Sequence, residues 1–381
     1  MFFCLITLLV GLVFILFWLL GGKRNDQKRT AKEVQGVQIK TKEFQRVVGW
    51  LSKDSVLLQT KKSGVTYFEE LNIYNEKKRP IFNTKESISE VQISPDYRNI
   101  LLYSAESAEK ATMRIIALND GSTVASRSTK PLTTTFYWND ESPEKIMFVS
   151  YSPEWNFQIE NWDYTLNQLD KIDVTSPFIS WYGDNLVISN NKDKPDDELG
   201  NLYLQDIRDN ATKNLIVANI MQFAVHDNVL LTIEKNSDEK LLYDFRTLGF
   251  QNFFSYNAAR EYDELGTFVP YFDTNFDKNT FLTFVPYKSA KIGSGAKEYK
   301  LVKIDPTNKK ESTILELMDN QPILSYETGD LVLYGYLFDK VIDTKTGKMY
   351  NLINTPTKSF KTTSSFFKGS LFLLMYSRFL V

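Results

Sequence analysis

Short apolar runs alternate with polar turns along almost the whole chain, and the alternation has a period. One unit reads as an apolar strand, an aromatic or apolar residue, a short polar turn and a second apolar strand. It occurs as VVGWLSKDSVLLQT around Trp50, VQISPDYRNILLYS around Ile93, FYWNDESPEKIMFVS around Trp138 and ISWYGDNLVIS around Trp181. It returns as FAVHDNVLLTI around Val225, YFDTNFDKNTFLTFV around Phe272, LSYETGDLVLYGY around Tyr326 and SSFFKGSLFLLMYS around Phe367. The first four steps are 43, 45, 43 and 44 residues, and the later ones are 47, 54 and 41. A second landmark, a strand running into an Asn/Asp-containing turn, repeats out of phase at Asn75, Asn119, Asp163, Asp206, Asp244, Asp305 and Asp343. Asn, Asp and Gly suit such turns because a short polar side chain, or none, tolerates tight hairpin backbone.

Each repeat therefore holds about four short strands, rich in Val, Ile, Leu, Phe and Tyr. Units of this length and content predict an all-β fold, a β-propeller with seven blades, six or eight being the alternatives. A lone blade cannot cover both faces, and stacking blades around an axis does. The last unit, residues 359–381, is partial, and an N-terminal strand such as VQGVQIK (residues 34–40) is a candidate to close the ring. Residues 190–200 and 288–299 read as the long loops.

The start of the chain is different. FFCLITLLVGLVFILFWLL carries no charge from Phe2 to Leu20. As a helix it reaches about 28 Å, close to the hydrocarbon thickness of a bilayer. A cleaved signal peptide fits less well, since no basic stretch precedes the run and no small-residue cleavage site follows it. Cys4 lies at the start of the apolar run, where a lipid-attachment Cys would follow it, so it reads as a lipid-facing residue. The expected organisation is a transmembrane anchor over residues 1–22, a polar tether with a possible ring-closing strand over 23–42, and the propeller over 43–381. Lys23, Arg24, Lys28 and Arg29 follow the anchor, and the positive-inside rule read from them places the propeller in the cytoplasm.

Composition narrows the chemistry. The chain has 381 residues, 43% hydrophobic and 24% charged, with 45 basic against 47 acidic side chains. A net charge of -2 gives no bulk attraction for nucleic acid. One His and one Cys exclude a Cys/His zinc site and intrachain disulfides. His226 in FAVHDNVLL sits in a turn beside Asp227, but neighbours on a strand point to opposite faces, which argues against a catalytic pair. GSGAK (293–297) lacks P-loop spacing and reads as a hairpin tip. Asp193, Asp196, Asp197 and Glu198 lie in a loop whose spacing is wrong for an EF-hand, so it reads as a solvated acidic loop. Trp50, Trp138 and Trp181 share one repeat position and read as packing between blades. Trp155, Trp162 and Tyr164 are either a carbohydrate or peptide platform or blade packing. No catalytic, cofactor-binding or metal-binding residue stands out, no cofactor is implied, and the ligand-binding residues stay open.

The unit starts VQISPDYRNILLYS and ISWYGDNLVIS resemble WD40-like and TolB-like propeller repeats. A membrane segment followed by FQRVVGWLSKDSVLLQT resembles the YqgU-like propeller proteins of low-GC Gram-positive bacteria, over roughly residues 43 to 381. The resemblance implies an envelope protein with its propeller outside the cytoplasm, opposite to the side the flanking charges favour. Members are often lipoproteins, and this chain departs from them by lacking a Cys after the apolar run. The resulting expectation is a non-enzymatic, membrane-anchored binding or scaffold module whose partner is a protein, a peptide or an envelope polymer. The alternatives are a glycan hydrolase or lyase working through channel carboxylates, and a cytoplasm-facing assembly platform.

Overall fold

Strands apolar on both faces are the main building material of the computed structural model, which describes residues 33–354 apart from 106, 108, 195–196, 210–211, 237–239, 264–265 and 292–297. In KIMFVSY, residues 145–151, Ile146 and Phe148 point to one side of their sheet and Met147 and Val149 to the other. Both sets are buried, because a neighbouring sheet covers each face. Outer strands instead alternate, as in Thr123–Thr129, where one face meets solvent.

Seven antiparallel four-stranded sheets follow one another along the described residues. Their first strands are Phe44–Ser52, Ser87–Ile93, Thr133–Trp138, Ile179–Trp181, Gln222–His226, Phe272–Asn275 and Ile323–Ser325. We number the sheets 1 to 7 in that order. Seven apolar clusters fill the seams between them, one to each seam. Leu57 of sheet 1 meets Val91 and Ile100 of sheet 2, and Leu231 of sheet 5 meets Phe281 of sheet 6. The last seam closes the circle, with Val47, Trp50 and Val56 of sheet 1 against Leu333 and Val341 of sheet 7. This is a β-propeller, and the first strands line its axis.

The repeated landmarks find their physical meaning here. Trp50 Nε1 donates to the Leu324 carbonyl of sheet 7 at 2.9 Å, and Trp181 Nε1 donates to Tyr137 of sheet 3 at 2.9 Å. Each stitches its own axial strand to the one before it. Trp138 departs from the pattern, being half-buried and bonded to Pro143 in its own turn. In the outer turns, the carboxylates of Asp163, Asp206, Asp305 and Asp343 accept backbone N–H groups two or three residues on. Asp244 does not belong with them. It lies inside the strand Leu241–Thr247, where Arg246 and Ser255 hold its carboxylate.

Residues 34–39 join the fold as a latch. Val37–Gln38 pairs in parallel with Ile353–Asn354, outside the seven four-stranded sheets. Val34, Val37 and Ile39 enter the seam between sheets 7 and 1. The expected membrane helix over 1–22, residues 23–32 of the tether, GSGAK and the partial unit at 359–381 lie outside the described residues. Among the described residues no helix is long and apolar enough to cross a membrane.

Candidate functional site

The turns that end the axial strands surround one mouth of the central channel. A cavity of about 580 Å³ opens there, lined from sheets 2 to 7. It carries six carboxylates, Asp140, Glu141, Asp227, Asp273, Asp277 and Glu327, against His226 and Lys278. A narrower space of about 210 Å³ continues along the axis, and Tyr97, Trp138, Asp140 and Asp273 border both.

Side-chain latches hold these turns in place. Asn139 Nδ2 donates to the Gly183 carbonyl of sheet 4 at 3.1 Å, while its oxygen accepts the Glu141 and Ser142 amides of its own turn. Asn275 repeats the device, donating to the Glu327 carbonyl at 2.7 Å and accepting from the Lys278 amide. Lys145 and Ser142 reach across to Asp184, and their hydrogen bonds hold that carboxyl below its usual range. A rim tied from sheet to sheet is pre-organised, so its carboxylates keep their positions.

His226 and Asp227 meet in this rim. Asp227 and Asn228 form a two-residue hairpin turn with φ of 46° and 64°. Strand alternation predicts that the two side chains diverge, but two consecutive left-handed residues end the alternation. The Asp227 carboxylate folds back to 3.1 Å from His226 Nδ1 and also accepts the Asp277 amide of sheet 6. Thr274 Oγ1 lies 3.3 Å from the same ring nitrogen.

Burial sets the protonation of the acids. Asp273 is 7% exposed. Desolvation pushes its carboxyl up to about 6, against hydrogen bonds from Ser325 and the attraction of His226, which act the other way. Asp140 is also raised, first by desolvation and then by the charges of Asp227 and Glu141. Tyr97 stands over the mouth with φ of 56° and packs 6.2 Å from the Tyr326 ring. Burial, then Glu327, Tyr326, Asp273 and Asp140, raise its hydroxyl far above the usual phenol range. Its phenol therefore stays neutral beside the acidic mouth.

The acidic loop is tied to the fold through its last carboxylate. Glu198 accepts the Thr267 amide at 2.8 Å and pairs with Lys235 at 3.1 Å. Burial alone would raise its carboxyl, but these bonds outweigh burial and lower it. Among the described residues no three His, Cys, Asp or Glu side chains converge as a metal cage. The aromatic trio separates: Trp162 is fully buried in the seam of sheets 2 and 3 with Tyr164, while Trp155 stands 60% exposed beside Tyr151. These three form no platform.

Residues 72–335 match the model of a family described as the YqgU-like 6-bladed beta propeller domain. The chain belongs to that family. The matched stretch holds five whole sheets and parts of sheets 1 and 7; the family description counts six blades, whereas the described residues form seven four-stranded sheets. A curated YqgU-like relative, "Uncharacterized lipoprotein YqgU" of Bacillus subtilis (strain 168), is 24% identical over 307 residues, 80% of this chain and 83% of its own. The crystal structure of uncharacterized protein lmo1340 from Listeria monocytogenes EGD-e is 97% identical, with a TM-score of 0.83, and covers 86% of this chain and 100% of that one. Saccharomyces cerevisiae Sqt1 is 9% identical with a TM-score of 0.50 over 83% of this chain and 87% of its own, a likeness of fold alone.

Proposed function

We propose that this YqgU-like propeller is a membrane-associated binding module of the cell envelope, its seven sheets forming seven blades, and that it takes a cationic organic ligand at the axial mouth. One observation carries the reading: six carboxylates from four sheets face a single cavity with two basic side chains beside them. The near-neutral chain as a whole has no such bias, so the field is local and focused by the concave wall. The carboxylates ring a space and do not converge on a point, which suits an ammonium or guanidinium group better than a bare metal ion. Tyr97 and Trp138 add aromatic faces of the kind that attract cations. Membrane association rests on the lipoprotein relative. A titration with n-propylammonium and with propionate tests the ligand charge. The cation is expected to bind and the anion not to, with binding lost in the Asp140→Asn, Asp273→Asn double variant. Equal binding of both ions would end the reading.

A second reading has its own observation. Asp273, raised to about 6, shares the cavity with the His226–Asp227 pair, which suits proton transfer on a glycan. Release of reducing ends from cell-wall glycan, abolished in Asp273→Asn, would favour it over simple binding.

A further inference from the structure

A second opening lies beside the acidic mouth. It is a cleft of about 490 Å³ between sheets 1 and 2, where Leu51, Glu70 and Arg79 of sheet 1 face Tyr97, Arg98 and Leu118 of sheet 2. Leu51 is near the end of the axial strand Phe44–Ser52, and Tyr97 and Arg98 are in the turn after Ser87–Ile93, so the cleft opens on the same end of the propeller as the mouth. Tyr97 borders both openings. Their charges are opposite. The cleft is lined by two guanidinium groups against one carboxylate. Arg79 neutralises that carboxylate, with Nε donating to Glu70 at 2.9 Å, while Nη1 and Nη2 donate to the Asn119 and Leu118 carbonyls, both at 3.1 Å. These bonds use three of its five N–H groups and hold the guanidinium across the seam. Arg98 follows Tyr97 directly, and its side chain is 83% exposed. Its Nε is 3.8 Å from the Asp96 carboxylate, too far for a hydrogen bond.

We propose that the ligand of the mouth is a zwitterion, with an ammonium group and a carboxylate at opposite ends of a short chain. The ammonium group stays between Asp140 and Asp273, the chain crosses Tyr97, and the carboxylate meets Arg98 beside Arg79. The proposal rests on the cationic reading of the mouth and adds the other end of the ligand. Guanidinium and carboxylate form charge-assisted hydrogen bonds of matched geometry. A carboxylate alone finds only an exposed cation, a weak partner, which agrees with propionate failing to bind. Joined to an ammonium group already seated in the mouth, it meets the same cation at a high effective concentration.

The test is calorimetric titration of the full chain, at low salt, with 4-aminobutanoate, 6-aminohexanoate and 8-aminooctanoate and with the neutral carboxamide of each. Acid and amide share the ammonium group and the chain length, so their difference reads the carboxylate alone. At the length that reaches the cleft, the acid is expected to bind about fivefold more tightly than its amide, the upper end for an exposed ion pair. Arg98→Gln should remove most of that difference. Arg98→Glu should reverse it, with the acid now the weaker ligand. The exposed side chain makes both variants compatible with the native fold, which thermal melts check. Equal binding of acid and amide at all three lengths would overturn the zwitterion and leave the charged mouth standing. A preference for the acid that persists in Arg98→Glu would put the carboxylate outside the cleft and overturn the proposal as well. Absence of binding by every acid and amide would overturn the cationic reading itself.

Discussion

His226 Nδ1 lies 3.1 Å from a carboxylate oxygen of Asp227, the next residue in the chain. Consecutive strand residues do not meet in this way. The contact exists because Asp227 and Asn228 both take left-handed backbone, with φ of 46° and 64°. That turn also carries the Asp227 carboxylate to the Asp277 amide, so one hairpin orients the imidazole and ties sheet 5 to sheet 6.

Asn228 is therefore the residue to change. Glycine tolerates positive φ without a Cβ clash, and a β-branched residue does not. Asn228→Gly is expected to leave stability unchanged or slightly raised. Asn228→Val should cost about 1–2 kcal/mol and release the imidazole. Thermal melts read the first effect. With one His in the chain, its NMR signals report the second without assignment. An unshifted imidazole in Asn228→Val would show that the turn does not hold the pair.

The seam tryptophans offer a matched comparison. Trp181 donates to Tyr137 at 2.9 Å, while fully buried Trp162 has no partner for its indole N–H. Tryptophan to phenylalanine removes similar volume at both sites. Trp181→Phe also loses a hydrogen bond worth about 1 kcal/mol, and Trp162→Phe removes an unsatisfied donor. Chemical denaturation should find Trp181→Phe the less stable variant by about 1–2 kcal/mol. Equal losses would mean that the Trp181 bond contributes nothing net.

Ring closure depends on a glycine. A Cβ on Gly36 would fall 2.5 Å from the Asn351 carbonyl and 2.4 Å from Asn354 Nδ2. Backbone cannot yield as a side chain can, so Gly36→Ala should push Val37–Gln38 off Ile353–Asn354. The expected result is a lower melting temperature, with faster amide exchange confined at first to the seam of sheets 7 and 1. Uniform loss of protection in all sheets would place the effect elsewhere.

Much of the fold was legible because burial on both faces of a strand leaves a mark at every position. Ile146 through Val149 read as one apolar run, and the period of Trp50, Trp138 and Trp181 located the axial strands. The closing strand was legible in VQGVQIK, though its parallel pairing was not. The mouth was not legible. Asp140 and Asp273 belong to different sheets, and only the ring brings them to one cavity. Local pattern also failed at His226 and Asp227, where two left-handed residues break the rule that separates them. Trp155, Trp162 and Tyr164 are near in sequence, yet two face a seam and one faces solvent.

Burial of Asp273 makes stability depend on pH. Its carboxyl is raised to about 6 from a reference of 3.8, so the folded state holds a proton that the unfolded state has released. The sign follows from linkage: this contribution is fully present below pH about 4 and is lost as pH rises through about 6. Asp140 is shifted the same way and adds to it. Asp273→Asn keeps an acceptor for the Ser325 amide and cannot ionise. It should melt above the native protein at pH 7.5, by up to ~3 kcal/mol in stability, and the gap should close by pH 4. A gap independent of pH would mean that Asp273 titrates normally.

Ligand binding should show the opposite trend. An ammonium group between Asp140 and Asp273 gains only from ionised carboxylates, so protonating Asp273 competes with it. Amine affinity is expected to be level above pH 7 and to fall about tenfold per pH unit below 6, where one obligatory carboxylate is mostly protonated. The bound cation stabilises the charged form, so saturating amine should also move the Asp273 titration downward. Asp273→Asn should bind more weakly at pH 8 and lose most of the pH dependence, with any remaining slope belonging to Asp140. Calorimetry at four pH values in buffers of differing ionisation enthalpy measures affinity and proton release together. Affinity that stays constant between pH 5 and 8 would place the cation away from Asp273, and with it away from the floor of the mouth.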